Sequence, residues 1–198
     1  MEITSLDMLD LSKQYSYADY LTWKFEERVE LFRGFIAQMS APNRRHQQIA
    51  FRVNFTLARY FEGHPCECYF APFDVRLPKP EHLRKNDKDI YTVVQPDLCV
   101  ICDPTKLDDK GCIGAPDLVV EILSPGNSKK EMNIKFDLYQ ESGVKEYWII
   151  DPAAQYAFVY TLDEQTLTFS NKRPLDIDGT LQSNLFPGLE FEMKAIFE

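Results

Sequence analysis

The chain has 198 residues and a mass of 23.1 kDa, and 44% of its residues are hydrophobic, which predicts one folded domain over 1–198 and excludes general disorder. The 31 acidic residues outnumber the 22 Lys and Arg residues, so the net charge of −9 repels nucleic acid and acidic membranes over most of the surface. No segment approaches the roughly 18 consecutive apolar residues of a membrane span. Residues 1–10 carry acids where a signal peptide carries basic residues, so we expect a cytoplasmic protein without a membrane partner.

The first third of the chain predicts two helices with a hairpin between them. A short helix is expected over 16–27, and β-forming residues over 28–39 surround a hairpin tip at Arg33 and the glycine after it. Apolar residues then recur every three to four positions over 43–62, and a glycine follows. This pattern predicts an amphipathic helix with His46 near the inward face at its start.

The middle of the chain predicts three strands, over 69–77, 93–102 and 117–123. The last two strands flank the sequence Asp-Asp-Lys-Gly at 108–111, and these residue types favour a turn. We therefore expect the second and third strands to pair as an antiparallel hairpin.

A second helix, a buried strand and another hairpin follow. Ser128 and Glu131 match a helix capping box, and Gly143 stands where a helix commonly ends. The apolar residues of 146–151 predict a mostly buried strand, and residues 158–169 predict a hairpin before a less regular tail. The order helix, three strands, helix, strand predicts a mixed α/β fold.

The five cysteines are an odd number in a chain expected to be cytoplasmic, which argues against a disulfide framework. Cys99 and Cys102 have C-x-x-C spacing, but on a strand they would point to opposite faces and could not share a zinc ion. His64, Cys66 and Cys68 offer three further ligands without a second pair of ligands nearby. Thiols without a metal are the favoured interpretation.

Two carboxylates would meet if the central hairpin has a suitable register. The turn at 108–111 makes the numbers of facing residues add to about 219, and a value of 218 sets Asp97 opposite Glu121 with Cβ atoms about 5 Å apart. A one-residue slip would place the two side chains on opposite faces. Asp117 is the weaker partner because it lies four residues before Glu121, about 13 Å along the strand.

Two ionised carboxylates this close repel each other unless a cation lies between them. Carboxylate oxygens with room for water suit Mg²⁺ or Mn²⁺, which can polarise a phosphodiester and lower the pKa of a water molecule. Lys135, at four-residue spacing from Glu131 and Tyr139, could reach over the hairpin to orient that water.

Plainer interpretations of the same residues stay open. Asp97 and Asp117 each follow a proline and could simply begin strands, and Glu121 could pair with an arginine. Lys135 could be a solvated helix residue paired with Glu131. His46 could be a packed, hydrogen-bonded helix residue.

Several motifs distributed over nearly the whole chain match one protein family. The central runs are GAPDLVVEILSP at 114–125, K-x-x-x-Y at 135–139 and GVKEYWIIDP at 143–152. The flanking matches are VELFRG at 29–34, Met39-Ser40 with His46, the QPD strand at 95–97 and FPG at 186–188. On these motifs the chain resembles the Uma-type family of putative restriction endonucleases, which is common in cyanobacteria and belongs to the PD-(D/E)XK nuclease superfamily.

The resemblance implies a restriction-endonuclease-like αβββαβ core over about 43–152, with an extra N-terminal helix and hairpin and a C-terminal β-hairpin. Asp97 matches the PD element, and Glu121 matches the acidic residue of the (D/E)-x-K element. Leu123 stands where that element has lysine, so Lys135 is the substitute implied by members whose lysine has migrated.

The resemblance further implies a Mg- or Mn-dependent endonuclease that hydrolyses DNA phosphodiester bonds. Asp97 and Glu121 would hold the metal and Lys135 would assist the water. His46 would contact the metal ligands or a phosphate, and Asp74, in the first core strand, would be an additional acid near the site. A homodimer is compatible with this activity. The alternative is a catalytically degenerate nuclease fold acting as a nucleic-acid-binding or interaction module, favoured by Leu123, the net charge of −9 and the lack of an obvious basic stripe.

Overall fold

The computed structural model describes residues 2–79, 86–125, 129–171 and 173–198. The described helices are α1 Tyr17–Tyr20, α2 Arg44–Tyr60, α3 Lys129–Ser142 and α4 Met193–Phe197. The described strands are β1 Val29–Phe32, β2 Phe35–Gln38, β3 Glu67–Phe70, β4 Val75–Arg76, β5 Val93–Val94, β6 Leu98–Ile101, β7 Leu107–Asp108, β8 Gly111–Ile113, β9 Leu118–Ile122, β10 Glu146–Asp151, β11 Tyr156–Asp163, β12 Thr168–Asn171, β13 Thr180–Gln182 and β14 Glu190–Glu192. The mixed α/β class predicted from the sequence is confirmed.

The central sheet contains the predicted core. Its strand order is β12-β11-β10-β9-β6-β3, with β9 and β10 parallel and the other neighbours antiparallel. Along the chain, α2, β3, β6, β9, α3 and β10 follow one another in the αβββαβ order. A second sheet has the order β2-β1-β5-β4-β8-β7, and β13 pairs with β14 apart from both.

The two faces of the central sheet are covered by different elements. Its strands pack on one side against the apolar face of α2 and the C-terminal segment with α4. On the other side they pack against α3 and the second sheet. Because both faces are buried, β9 consists almost entirely of apolar residues, and its single acidic residue stands out.

Two predicted strands are each divided between the two sheets. The run 69–77 forms β3 and β4, so Asp74 lies just before β4 in the second sheet and not in the first core strand. The run 93–102 likewise forms β5 and β6. Pro72 and Pro96 lie at the two breaks, where a residue without an N–H cannot continue the hydrogen-bond ladder.

The predicted turn at 108–111 is present, but its arms β7 and β8 belong to the second sheet. The chain therefore leaves β6, forms β7 and β8 at one edge of the second sheet and returns as β9. Gly111 has a φ of 121°, and a Cβ there would collide with the carbonyl oxygen of Asp74. Only glycine fits this close approach.

Helix boundaries largely follow the predicted caps. Asn43 caps α2, its side chain accepting the N–H of His46 at 2.9 Å, and Gly143 follows α3 with a φ of 85°. The first helix spans only four residues after its cap at Ser16, so the prediction over 16–27 was too long. Ser128, the predicted cap of α3, lies outside the described residues.

Cys66 and Cys102 form a disulfide, so the expectation of no disulfide was wrong for this pair. Glu67 pairs with Ile101 in the β3–β6 register, and extending it by one residue sets the two cysteines opposite each other. Their separation of 36 residues gives no sign of this in the sequence. No helix of the described ranges is long and apolar enough to cross a membrane.

A buried glutamate ties the C-terminal segment to the central sheet. Glu146 on β10 accepts the indole N–H of Trp148 at 2.6 Å through Oε1. Its Oε2 accepts the backbone N–H groups of Asn184 and Leu185, each at 2.8 Å. Burial raises the pKa of Glu146, and these hydrogen bonds oppose that effect.

We expect Glu146→Gln to lower the free energy of unfolding by about 2 kcal/mol, because the amide N–H₂ would face N–H donors. Urea denaturation measures this loss, with the exposed Glu164→Gln as the matched control. Equal stability of the two variants would contradict the role of Glu146 as an acceptor for three donors.

Candidate active site

The register of the central strands brings the two predicted carboxylates together. Leu98 pairs with Val120 and Cys99 with Val119, so facing residue numbers add to 218, the value that favours the predicted pair. Asp97 and Glu121 follow as the next opposed pair, and both line one cavity of about 120 Å³. The geometric prediction for these two residues is therefore confirmed, while their chemical roles stay a proposal.

Asp97 is held from two sides. Its Oδ2 accepts the backbone N–H of Ile122 at 2.7 Å across the strand pair. The Nε2 of His46, at the start of α2, lies 3.1 Å from Oδ1 and 3.2 Å from Oδ2. Burial lowers the pKa of His46, but the hydrogen bond to Asp97 and its negative charge outweigh burial and raise it. These contacts fix the orientation of the Asp97 carboxylate.

Glu121 lies deeper and accepts two donors from α3. Its Oε1 accepts the ammonium of Lys135 at 3.0 Å and the hydroxyl of Tyr139 at 2.6 Å. Burial, followed by repulsion from Asp97 and Glu30, raises the pKa of Glu121 to about 7 against the opposing effect of Lys135. Without a further cation, the carboxyl group is therefore costly to ionise.

Lys135 is a buried charge and not a solvated helix residue. Only 7% of it is exposed, and its Nζ lies 3.0 Å from both Glu121 Oε1 and Glu30 Oε1. Burial alone would lower the pKa of Lys135, but the two carboxylates outweigh burial and raise it. The ammonium therefore stays protonated and can act as a hydrogen-bond donor, not as a base.

Glu30 is the residue of this cluster that sequence reasoning missed. It lies on β1 with 1% exposure, and its Oε1 also accepts the backbone N–H of Gln95 at 2.7 Å. The available signal was a glutamate inside the apolar run Val-Glu-Leu-Phe, whose four residues are all buried. A buried acid in such a strand needs a cation, which Lys135 supplies.

Asp74 and Asp117 are engaged outside this cluster. Asp74 accepts the side-chain amide of Gln95 at 2.8 Å and the hydroxyl of Tyr17 at 3.1 Å. Since Gln95 lines the cavity, Asp74 reaches the site only through that residue. Asp117 pairs with Lys145 at 2.7 Å.

Leu123 follows Glu121 by two residues and packs against the core beside α3. A lysine at this position would place an amine beside Glu121. Lys135 on α3 places its amine there instead. The structure thus places a lysine at the acidic pair although the strand motif lacks one.

The donor set fits a divalent cation. Glu30 and Glu121 contact the ammonium of Lys135, and Asp97 lines the same cavity. These four groups carry two net negative charges when all three carboxylates are ionised and His46 is neutral. Within the described part of the chain, no group of three or more His, Cys, Asp or Glu side chains could by itself hold a metal ion. Carboxylate oxygens from Asp97 and Glu121 are ligands that suit Mg²⁺, which retains several waters in protein sites.

An αβββαβ core with facing acids on its second and third strands and a lysine beside them defines a restriction-endonuclease-like fold. The chain belongs to the Uma2 family, described as "Putative restriction endonuclease", whose model matches residues 17–194. This confirms the family resemblance identified from the motifs.

Two further proteins are similar to this chain, one in structure and one in sequence. The crystal structure of a protein from Anabaena variabilis, described as a putative nuclease belonging to DUF820, superposes with a TM-score of 0.67 at 19% identity. That match covers 92% of this chain and 97% of the Anabaena chain. A Synechocystis protein, slr1290, is 27% identical over 134 residues, which span 67% of this chain and 65% of the relative.

Proposed function

We propose that the protein is an endonuclease that hydrolyses DNA phosphodiester bonds with Mg²⁺ or Mn²⁺. The observation that carries the proposal is the convergence of Asp97, Glu121 and Lys135 on one cavity of about 120 Å³. Membership of a family described as "Putative restriction endonuclease" adds support. DNA as the substrate agrees with the cytoplasmic location expected from the sequence.

Asp97 and Glu121 would hold the metal ion. Bound there, Mg²⁺ supplies stabilisation of negative charge on the phosphate and a more acidic water. Asp97 presents an oriented carboxylate because Ile122 and His46 already fix it. Glu121 would gain the cation that its buried position and raised pKa favour.

Lys135 would stabilise negative charge that develops on the phosphate. Its protonated Nζ can donate to a phosphate oxygen or hold the attacking water, since the ammonium has three N–H groups and two contact Glu30 and Glu121. Asp74 would act only as a positioning residue, by fixing the amide of Gln95 at the cavity wall.

A catalytically degenerate binding module is the second candidate. The observation that favours it is the tight pairing of Lys135 with Glu30 and Glu121, which would also serve as a purely structural ion cluster. The same residues therefore support either function, and an activity assay has to distinguish the two functions.

Cleavage of supercoiled plasmid by the wild-type protein tests the proposal. We expect nicking in Mg²⁺ or Mn²⁺ and none in EDTA or Ca²⁺, because Ca²⁺ accepts looser geometry and activates water less. Gel electrophoresis measures the nicked product. DNA binding without nicking in every metal would overturn the endonuclease proposal and favour the binding module.

A further inference from the structure

Helix α2 carries positive charge in a strongly acidic chain. No acidic residue occurs between Glu30 and Glu62, although the chain has 31 in 198 positions. Within this stretch α2 bears four arginines, which are Arg44, Arg45, Arg52 and Arg59. A local basic surface of this kind is what an acidic protein needs to hold DNA.

The solvent side of α2 also exposes two aromatic rings. Phe51 is 70% exposed and Phe55 is 56% exposed, and their rings stack 6.5 Å apart at 19°. The guanidinium of Arg59 lies 5.8 Å from the centre of the Phe55 ring. By helical spacing Arg44 lies on the same side, so Arg44, Phe51, Phe55 and Arg59 form one row, here called the α2 stripe.

The α2 stripe begins at the end of the helix that lies at the candidate active site. Pro42 and His46, at the start of α2, both line the cavity with Asp97 and Glu121. Phe51 lies about 7.5 Å farther along the helix axis than His46. A strand that leaves the cavity over the first turn of α2 would therefore meet Arg44 and then the two rings.

We propose that the α2 stripe binds single-stranded or unpaired DNA beside the cleavage site, an inference that rests on the proposed function. Exposed phenylalanine rings stack on bases, and arginines contact phosphates. Bases inside a duplex have both faces covered by their neighbours, so the rings favour unpaired bases. A twofold contact between two copies is disfavoured because it would bring the same arginines face to face.

Fluorescence anisotropy with a labelled 20-nucleotide single strand tests the proposal in Ca²⁺, where cleavage does not interfere. We expect Phe51→Ala/Phe55→Ala to weaken single-strand binding about 10- to 100-fold and to leave binding of the matching duplex nearly unchanged. Arg44→Gln/Arg59→Gln should reduce the dependence of log K on log salt concentration by about 1.4.

Two exposed residues elsewhere provide matched controls. Phe70, 62% exposed on β3, controls for loss of a surface ring, and Lys13 controls for loss of a surface charge. Phe70→Ala and Lys13→Gln should keep wild-type affinity, and circular dichroism should show that all variants fold. An unchanged single-strand affinity in Phe51→Ala/Phe55→Ala would overturn the proposal.

Light scattering and plasmid nicking distinguish the other outcomes. If the Phe51→Ala/Phe55→Ala variant converts a dimer to a monomer with unchanged DNA affinity, the stripe binds a second copy and the inference is wrong. If the wild type binds single strands through the stripe but never nicks DNA, the stripe is a single-strand-binding surface without a cleavage site beside it, and the endonuclease proposal fails. If the wild type nicks DNA and the stripe contributes nothing to binding, the endonuclease proposal holds and the inference about the stripe is wrong.

Discussion

Replacing Glu121 with alanine or glutamine is expected to abolish Mg²⁺-dependent nicking of supercoiled plasmid, a loss of about 10³-fold or more. Glu121 would be one of only two carboxylates from the chain that hold the ion, and it is also the acceptor that positions Lys135. A loss of 10³-fold corresponds to about 4 kcal/mol of transition-state stabilisation, within the range that a metal ligand supplies.

Glu121→Gln removes the negative charge of the side chain but keeps its shape. The amide oxygen can still accept from Lys135 and Tyr139, so the fold should persist while the negative charge is lost. Glu141→Gln is the matched control because Glu141 is an exposed acid on α3 that pairs with Arg33. If Glu121→Gln nicks DNA at the rate of Glu141→Gln, Glu121 has no part in the reaction.

The acidic pair could be anticipated because its pairing depends on one continuous stretch of the sequence, residues 97–121. The turn at 108–111 predicts the facing positions to within one residue, since facing residue numbers add to 219 at the turn and to 218 between β6 and β9. The prediction survives although β7 and β8 join another sheet, because the two arms between the turn and the β6–β9 pair differ by only one residue. His46 was also predictable, since helical periodicity turns it inward at the start of α2.

Residues that depend on long-range packing were not predictable in this way. Glu30 lies on β1 of the second sheet and reaches Lys135 only because that sheet covers one face of the core. The Cys66–Cys102 bond depends on the register of β3 and β6, which are separated in the chain by β4 and β5 of the second sheet. The α2 stripe was missed because its basic residues are spread around helical turns with apolar residues between them and form no run.

The second large effect is expected when Lys135 is removed from its ion cluster with Glu30 and Glu121. Lys135→Met should lower the free energy of unfolding in metal-free buffer by about 3–5 kcal/mol, because it leaves Glu30 and Glu121 buried without a cation. The same variant should lose nicking activity about 10²-fold or more. Urea denaturation with and without Mg²⁺ and the plasmid assay measure the two effects, and added Mg²⁺ should recover part of the stability.

Returning the lysine to the strand distinguishes a migrated catalytic lysine from a structural one. In Leu123→Lys/Lys135→Met the new amine lies two residues after Glu121, just past the end of β9 and on the α3 side of the sheet, and can approach the same carboxylate. If Lys135 stabilises the transition state, this double variant should regain part of the nicking activity that Lys135→Met loses. Recovery of stability without any nicking would instead assign Lys135 to the fold alone, because a restored counterion would then suffice for folding and contribute nothing to cleavage.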